Sequence, residues 1–400
     1  MRLLRFLSYL LAASWLGMAT TGAWAQPRRV LHVSLYPYIP EPEAAALVLK
    51  QGFERLHPDV IVDITFNPNY YDPKPAAKGV LYEDADIHEI DVIFMRDFLA
   101  AHRLQPPRIG GLDPLEPLAA QAATYDGVIW AVPQWMCTDF LIYRSDKTTL
   151  AGNPSLAALE ATLGTEHGLL LDMSGQAQLG ELYLSRLLAS GDETPDATLA
   201  HGAAPPDPAT IARFRRILAL EPAGLGRNPA YGGIESFYAR QFARRTGSAF
   251  VGYSEMTHEV LEETASSCLQ RDRCVTADQI RVTAFPFADG KLRPAVWVDM
   301  FAIDAKVHGQ TLSDARDFIR YAVSLPTYRS LLIPQPGGTP RYLLPTTRAA
   351  LEDAELQHAA PLYPQFRAII EHGVVVTTPH LNAALHEAAT RLDLALPKVH

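Results

Sequence analysis

Residues 29–66 read RVLHVSLYPYIPEPEAAALVLKQGFERLHPDVIVDITF, and they decide the fold class. Leu31, Val33 and Leu35 alternate with polar or small residues, the period of a half-buried strand. From Pro42, a residue suited to a first helical turn, Ala45, Val48, Leu49, Phe53 and Leu56 recur at helical spacing until His57-Pro58. Val60, Val62, Ile64 and Phe66 then alternate again. Strand, helix, strand is the unit that builds a parallel sheet.

The same rhythm continues along the chain. IDVIFMRDFL (90–99) predicts a buried strand and a short turn, and GVIWAVPQ (127–134) a strand that ends at Pro133. CTDFLIYR (137–144) resumes as an extended run, and GLLLDMSG (168–175) predicts a strand leading into a helix capped by Ser174. GSAFVGYSE (247–255) and RPAVWVDMFAID (293–304) predict two more strands, the second bounded by Pro294. SDARDFIRYAVSL (313–325) predicts an amphipathic helix capped by Ser313, with Ala315, Phe318, Ile319, Ala322 and Val323 on one face. The Pro-rich stretch 203–208 reads as a surface loop. Strands alternating with helices over this length imply an α/β fold of doubly wound sheets, which bind ligands at the carboxyl ends of strands.

The N-terminus sets the expected compartment. Arg2 and Arg5 precede an uncharged apolar stretch from Phe6 to Ala19, and Ala23-Trp24-Ala25 has the small-x-small form of a cleavage site. Residues 1–25 thus have the three parts of a secretory signal peptide. The stretch is shorter than the ~20 residues that span a bilayer, and no second one exists, so no stable membrane anchor is expected. The formal charge of −9, with charges dispersed and no basic run, argues against nucleic acid as a partner. The 13 histidines show no HExxH spacing and the cysteines no CxxC spacing, so no metal is expected. No P-loop, GxGxxG or GxSxG is present.

There are three cysteines. Cys268 and Cys274 lie close together in SSCLQRDRC (266–274), and an oxidising compartment favours a disulfide between them. Cys137 is then unpaired, in VPQWMCTD (132–139), a break between extended runs. It reads either as a buried structural thiol or as a nucleophile. Glu255 follows the strand end Val251-Gly252-Tyr253-Ser254, where it reads either as the first residue of a helix or as a base for such a thiol. Tyr36, Tyr38, Tyr70, Tyr71, Asp91, Tyr238, Tyr253, Trp297 and Asp299 supply rings and carboxylates. Such a set suits a flat, cationic heteroaromatic ligand, because ring faces attract cations and carboxylates bind amino groups.

The exported layout, the FERLHPDVIVDITF passage (53–66) and the SDARDFIRYAVSL helix resemble bacterial extracellular solute-binding proteins. That resemblance implies a two-lobed fold of the periplasmic binding protein type II kind. Its lobes are expected at 26–138 with about 288–342, and at about 139–287 with 343–400, around a cleft. A narrower resemblance is to the thiaminase I (thiamine pyridinylase) family. Pro133-Gln134-Trp135-Met136-Cys137 matches its nucleophile context and Tyr253-Ser254-Glu255 its general base. Tyr36 with Tyr38 matches its Tyr-x-Tyr pair, and Trp297 with Asp299 its aromatic-x-Asp pair. Trp297 stands where the family has tyrosine, so a hydroxyl contact is missing there while stacking is kept. The resemblance implies thiamine cleavage by base exchange, with Cys137 as nucleophile, Glu255 as base, Asp91 and Asp299 on the pyrimidine, and an amine or thiol as acceptor. It implies a monomer that needs no cofactor. A transport receptor that binds thiamine or its pyrimidine without cleaving it is the competing reading. A sugar- or peptide-binding protein is a third.

Overall fold

A computed structural model describes residues 28–396, except 73–78, 175, 192–205, 229, 231–234, 269–272, 334 and 336. The expected leader, 1–25, and the first half of the expected 203–208 loop lie outside the described residues. The principal elements, in chain order, are β1 (Arg29–Leu35), α1 (Pro42–Leu56), β2 (Val60–Phe66), β3 (Ile87–Asp91), β4 (Val132–Cys137), β5 (Phe140–Arg144) and β6 (Leu169–Leu170). They continue with α2 (Gln176–Ser190), α3 (Glu235–Ala243), β7 (Ala249–Gly252), α4 (Met256–Ser267), β8 (Ile280–Ala284), β9 (Ala295–Asp304), α5 (Gly309–Ala322) and α6 (Leu325–Leu332). The last are β10 (Leu344–Pro345), α7 (Tyr363–Ile370), β11 (Val374–Val375) and α8 (Leu381–Ala395).

The opening β1–α1–β2 unit forms as its periodicity dictates. β1 pairs in parallel with β2 from Arg29↔Val60 to Leu35↔Phe66, and on its other side with β3. Ala45, Leu49 and Phe53 turn the buried face of α1 to the sheet. Gly52 lets α5 approach closely, since a Cβ there would sit 1.7 Å from the Tyr321 hydroxyl. The large sheet runs β10-β4-β9-β3-β1-β2, with β11 also on β9. It is mixed: β9 is antiparallel to both β3 and β4.

The second sheet runs β8-β5-β7-β6, and alternation divides its side chains between two cores. Phe140, Ile142 and Phe250 join the large core shared with the first sheet. Leu141, Tyr143, Ala249 and Val251 face a separate cluster under α2 and α8. The result is an α/β fold of two lobes, with the chain crossing between sheets at Thr138-Asp139.

Several local expectations are corrected. The strand at 90–99 stops at Asp91, because the Asp91 carboxylate accepts the Ile93 N–H at 3.1 Å and opens a 3-10 turn over Val92–Phe94. Pro133 does not end its strand. β9 pairs Asp299 with Trp135 and Met300 with Pro133, so Gln134 is the extra residue of a bulge. A bulge accepts proline because the ladder there needs no N–H from it. The helix expected to start at Ser313 begins at Gly309. Ser174 donates its hydroxyl to Asp172 Oδ1 at 2.8 Å. The stretch 343–400, expected in the second lobe alone, is divided. β10 and β11 join the first sheet, while α7 packs on β8 and α8 on α2.

Candidate active site

The site grows out of strand register. Trp297 and Asp299 are two residues apart on β9 and share a face. Trp297 lies opposite Cys137, and Asp299 lies opposite both Trp135 and Asp91. Five side chains from β4, β9 and β3 therefore form one patch, at the carboxyl ends of β3 and β4. Tyr36 and Tyr38 follow the end of β1 and close one side. The Tyr38 ring stacks on Tyr71, with centroids 5.6 Å apart and planes at 14°. The Tyr71 hydroxyl donates to Asp91 Oδ2 at 2.8 Å and lies 3.0 Å from the Tyr36 hydroxyl.

The second lobe supplies the facing wall. β7 ends at Gly252, and Tyr253, Ser254 and Glu255 lead directly into α4. Glu255 thus occupies the opening position of a helix and also faces the cleft. The Tyr253 hydroxyl donates to the Glu181 carboxylate of α2. Gln178, one turn earlier on the same helix, donates to Asp139 Oδ1 at 2.9 Å. Glu259 of α4 is paired with Arg240 at 3.2 Å.

Between these walls lies a cleft of about 570 Å³, a volume suited to a small molecule. Its lining brings together Tyr36, Tyr38, Tyr71, Asp91, Cys137, Tyr253, Glu255, Trp297 and Asp299. Tyr70 and Tyr238 are not on it. Tyr70 is fully buried behind the wall, where its hydroxyl donates to the Glu89 carbonyl at 3.0 Å and accepts the Asp91 N–H at 2.7 Å. Tyr238 lines a small adjoining cavity, and its hydroxyl donates to the Leu225 carbonyl at 3.2 Å. Trp135, Gln178, Glu181, Ser236 and Glu259 line the cleft without having been singled out in the sequence. Trp135, two residues before Cys137 on a strand, carried a usable signal. The other four are placed by tertiary packing. A second cavity, of about 280 Å³, shares only Met136 with this one and holds neither the thiol nor the paired aspartates.

The ionisable groups of the cleft act on one another. Cys137 is the free cysteine, half-buried, while Cys268 and Cys274 are joined as a disulfide with Cα atoms 6.2 Å apart. Burial pushes the Cys137 thiol well up, and the charges of Glu255, Asp299, Asp91 and Glu181 push it further. Burial raises the Glu255 carboxyl to about 7, against its own backbone N–H and the Ser254 hydroxyl. It raises Asp91 to about 6, against the Ile93 N–H and the Tyr71 hydroxyl. Asp299 is driven well above the carboxylate range by burial and then by Asp91, Glu89 and Glu255. Carboxyls directly opposite one another on neighbouring strands cannot both ionise easily, so Asp91 and Asp299 each disfavour the other's charged form. Among the described residues, no group of three His, Cys, Asp or Glu side chains is arranged to hold a metal ion, and no helix is long and apolar enough to cross a membrane.

No family model matches the chain. It is 25% identical over 354 residues to Thiaminase-1 of Paenibacillus thiaminolyticus, covering 85% of this chain and 81% of that protein. The solved structure of thiaminase I from Bacillus thiaminolyticus superimposes with a TM-score of 0.74 at 25% identity, over 92% of this chain and all of that one. Clostridium botulinum thiaminase I in complex with thiamin gives 0.71 at 19% identity, over 91% and 99% of the two chains. Maltose-bound MalE3 of T. maritima gives 0.63 at 16% identity, over 92% and 100%, a likeness of fold. The chain is thus similar to thiaminase I in sequence and in fold over most of its length, on the two-lobed fold of solute-binding proteins.

Proposed function

We propose that this protein is a thiaminase I, which cleaves thiamine by transferring its pyrimidinylmethyl group from the thiazole to an amine or thiol. The observation that carries this reading is the free Cys137 thiol in a cleft whose other ionisable groups are acids, with Glu255 foremost among the charges acting on it. A receptor needs rings and carboxylates for such a ligand. It has no use for an unpaired thiol facing a basic carboxylate.

The residues have separable tasks. The cleft disfavours a resting thiolate, so the Cys137 proton leaves as sulfur attacks, and Glu255 receives it. With its carboxyl at about 7, Glu255 is more basic than an ordinary glutamate, and about half of it is ionised at neutral pH. Sulfur adds to the electron-poor pyrimidine carbon, and the electron pair moves into the ring. There a protonated carboxyl of the Asp91–Asp299 pair donates to the ring nitrogen where charge develops. The bond between methylene and thiazolium nitrogen breaks, and its electrons leave with a neutral thiazole. An amine or thiol then attacks the methylene, and Cys137 departs. The rings of Tyr36, Tyr38 and Trp297 hold the flat cationic substrate meanwhile.

Export fits the same reading. Residues 1–25 act as a leader, and the Cys268–Cys274 bond suits an oxidising compartment. The mature protein acts as a monomer. Incubation of the purified protein with thiamine and an amine tests the proposal. Free thiazole and a substituted pyrimidine are expected. Saturable thiamine binding with no cleavage under any nucleophile would make the protein a receptor.

A further inference from the structure

We propose that Glu89 is a positioning residue for this reaction: one buried carboxyl ties the aromatic loop after β1 to Trp135 on β4 and so fixes the slot that receives the pyrimidine. The inference rests on the reading of the cleft just given.

Glu89 lies two residues before Asp91 on β3, on the same face and one step deeper. It is 3% exposed and does not line the cleft. Its Oε2 accepts the Tyr36 backbone N–H at 2.9 Å. Its carboxyl is also stabilised by the side chain of Trp135, whose indole can only donate. Its backbone carbonyl accepts the Tyr70 hydroxyl, which in turn accepts the Asp91 N–H. One residue thereby joins three pieces of the site: the Tyr36–Tyr38 loop, the Trp135 wall and the Asp91 strand end.

A fold that needed only a tether here would use an amide or an apolar contact, because a buried carboxyl without a cation is unfavourable. Glu89 acts on Asp299 of β9, Tyr70 after β2 and Tyr328 of α6, and Asp91 follows it on its own strand; none of these carries positive charge. Burial lifts Glu89 to about 8, held there against its two N–H donors. Once ionised, a carboxylate grips N–H donors more strongly than the protonated acid does. It also places negative charge behind a slot meant for a cation. Thiamine affinity is therefore expected to rise as pH passes through about 8.

The test is thiamine binding between about pH 6.5 and 9, measured by calorimetry on a Cys137→Ser background that cannot turn over. With Glu89 present, affinity rises severalfold across that range. Glu89→Gln, a neutral isostere, binds about tenfold more weakly at the alkaline end and loses the part of the rise centred near pH 8, keeping the part near 7 that Glu255 supplies. Trp135→Phe removes one donor and keeps the carboxyl, so the rise persists but moves to higher pH. Unchanged affinity and pH dependence in Glu89→Gln would overturn the proposal. So would a loss that is uniform at every pH, since that is what simple loosening of the fold produces. Tryptophan fluorescence of the unliganded protein reads the tether without substrate: a transition near pH 8 that disappears in Glu89→Gln. That readout stands even if the wild type fails to cleave thiamine, which is how the functional reading would fail.

Discussion

Two aspartates of β9, Asp299 in mid-strand and Asp304 at its end, meet opposite fates. Asp304 is buried, yet it accepts from Arg103 Nη2 at 2.6 Å and from the Lys306 N–H at 3.0 Å, with His88 Nε2 at 3.2 Å. Burial pushes its carboxyl up, but His88, Lys306 and Arg103 outweigh that and hold it well below the usual range. Asp299 is buried too, and its charged neighbours are Asp91, Glu89 and Glu255. The fold thus places a cation beside one buried acid and only further acids beside the other. Buried acids without a cation, in a cleft beside a free thiol, are what the proposed chemistry calls for, at the expense of stability.

The comparison is sharpest where substitutions should separate activity from stability. The largest effect is expected at Cys137. Cys137→Ser should lower turnover on the order of 10⁴-fold or more while leaving thiamine affinity nearly intact, as rapid-quench kinetics beside calorimetry would show. Undiminished turnover would mean that the thiol is structural.

Glu255→Gln keeps the shape and removes the base, so turnover should fall by ~10²–10⁴-fold with little change in binding. In the wild type, kcat/KM should climb with pH through about 7 as Glu255 loses its proton, and this limb should vanish in the variant. A fall in turnover of less than about tenfold would place the base elsewhere.

The two aspartates should then cross over. Asp299→Asn should lower kcat by about 10²–10³-fold without lowering the melting temperature. Asp304→Asn leaves the Arg103 charge without its carboxylate and should destabilise by about 3–5 kcal/mol, with kcat per folded molecule preserved. Chemical denaturation and steady-state kinetics on both variants decide this. Equal destabilisation by the two would erase the distinction drawn above.

The smallest effect is on the pH dependence of stability. Glu255, Glu89 and Asp299 have carboxyls raised on folding, so the folded state binds more protons than the unfolded chain. Their stabilising contribution is complete below the ordinary carboxylate range, and that of Glu255 and Glu89 is lost as pH rises through about 7 to 8. Asp304 behaves oppositely, contributing above the ordinary carboxylate range and losing that contribution as pH falls below it. Thermal melts of the unliganded protein should therefore drop between about pH 5 and 8, and the drop should be shallower in Glu255→Gln.

Much of this was legible in the sequence, and the rest was not for physical reasons. The β1–α1–β2 unit was readable because local periodicity and burial agree there. Pro133 misled, since whether a proline ends a strand or sits in a bulge depends on the neighbouring strand. Ser313 looked like a cap, although His308 and Gly309 open that helix one turn earlier. Tyr70 and Tyr71 were indistinguishable as letters. Tertiary packing buries one and leaves the other to meet Asp91. The resemblance pairs Trp297 with Asp299 and sets Asp91 and Cys137 in the same site, but their placement on one patch is a fact of antiparallel register. Gln178, Glu181 and Glu89 left no local signal, because each gains meaning from a partner distant in the chain.

The central claim is that Cys137 carries the pyrimidine during the reaction. Protein mixed with thiamine and acid-quenched within the first turnover should contain one pyrimidinylmethyl group on the peptide bearing Cys137, matched mole for mole by released thiazole. Thiazole released in that turnover with Cys137 unmodified would contradict the account.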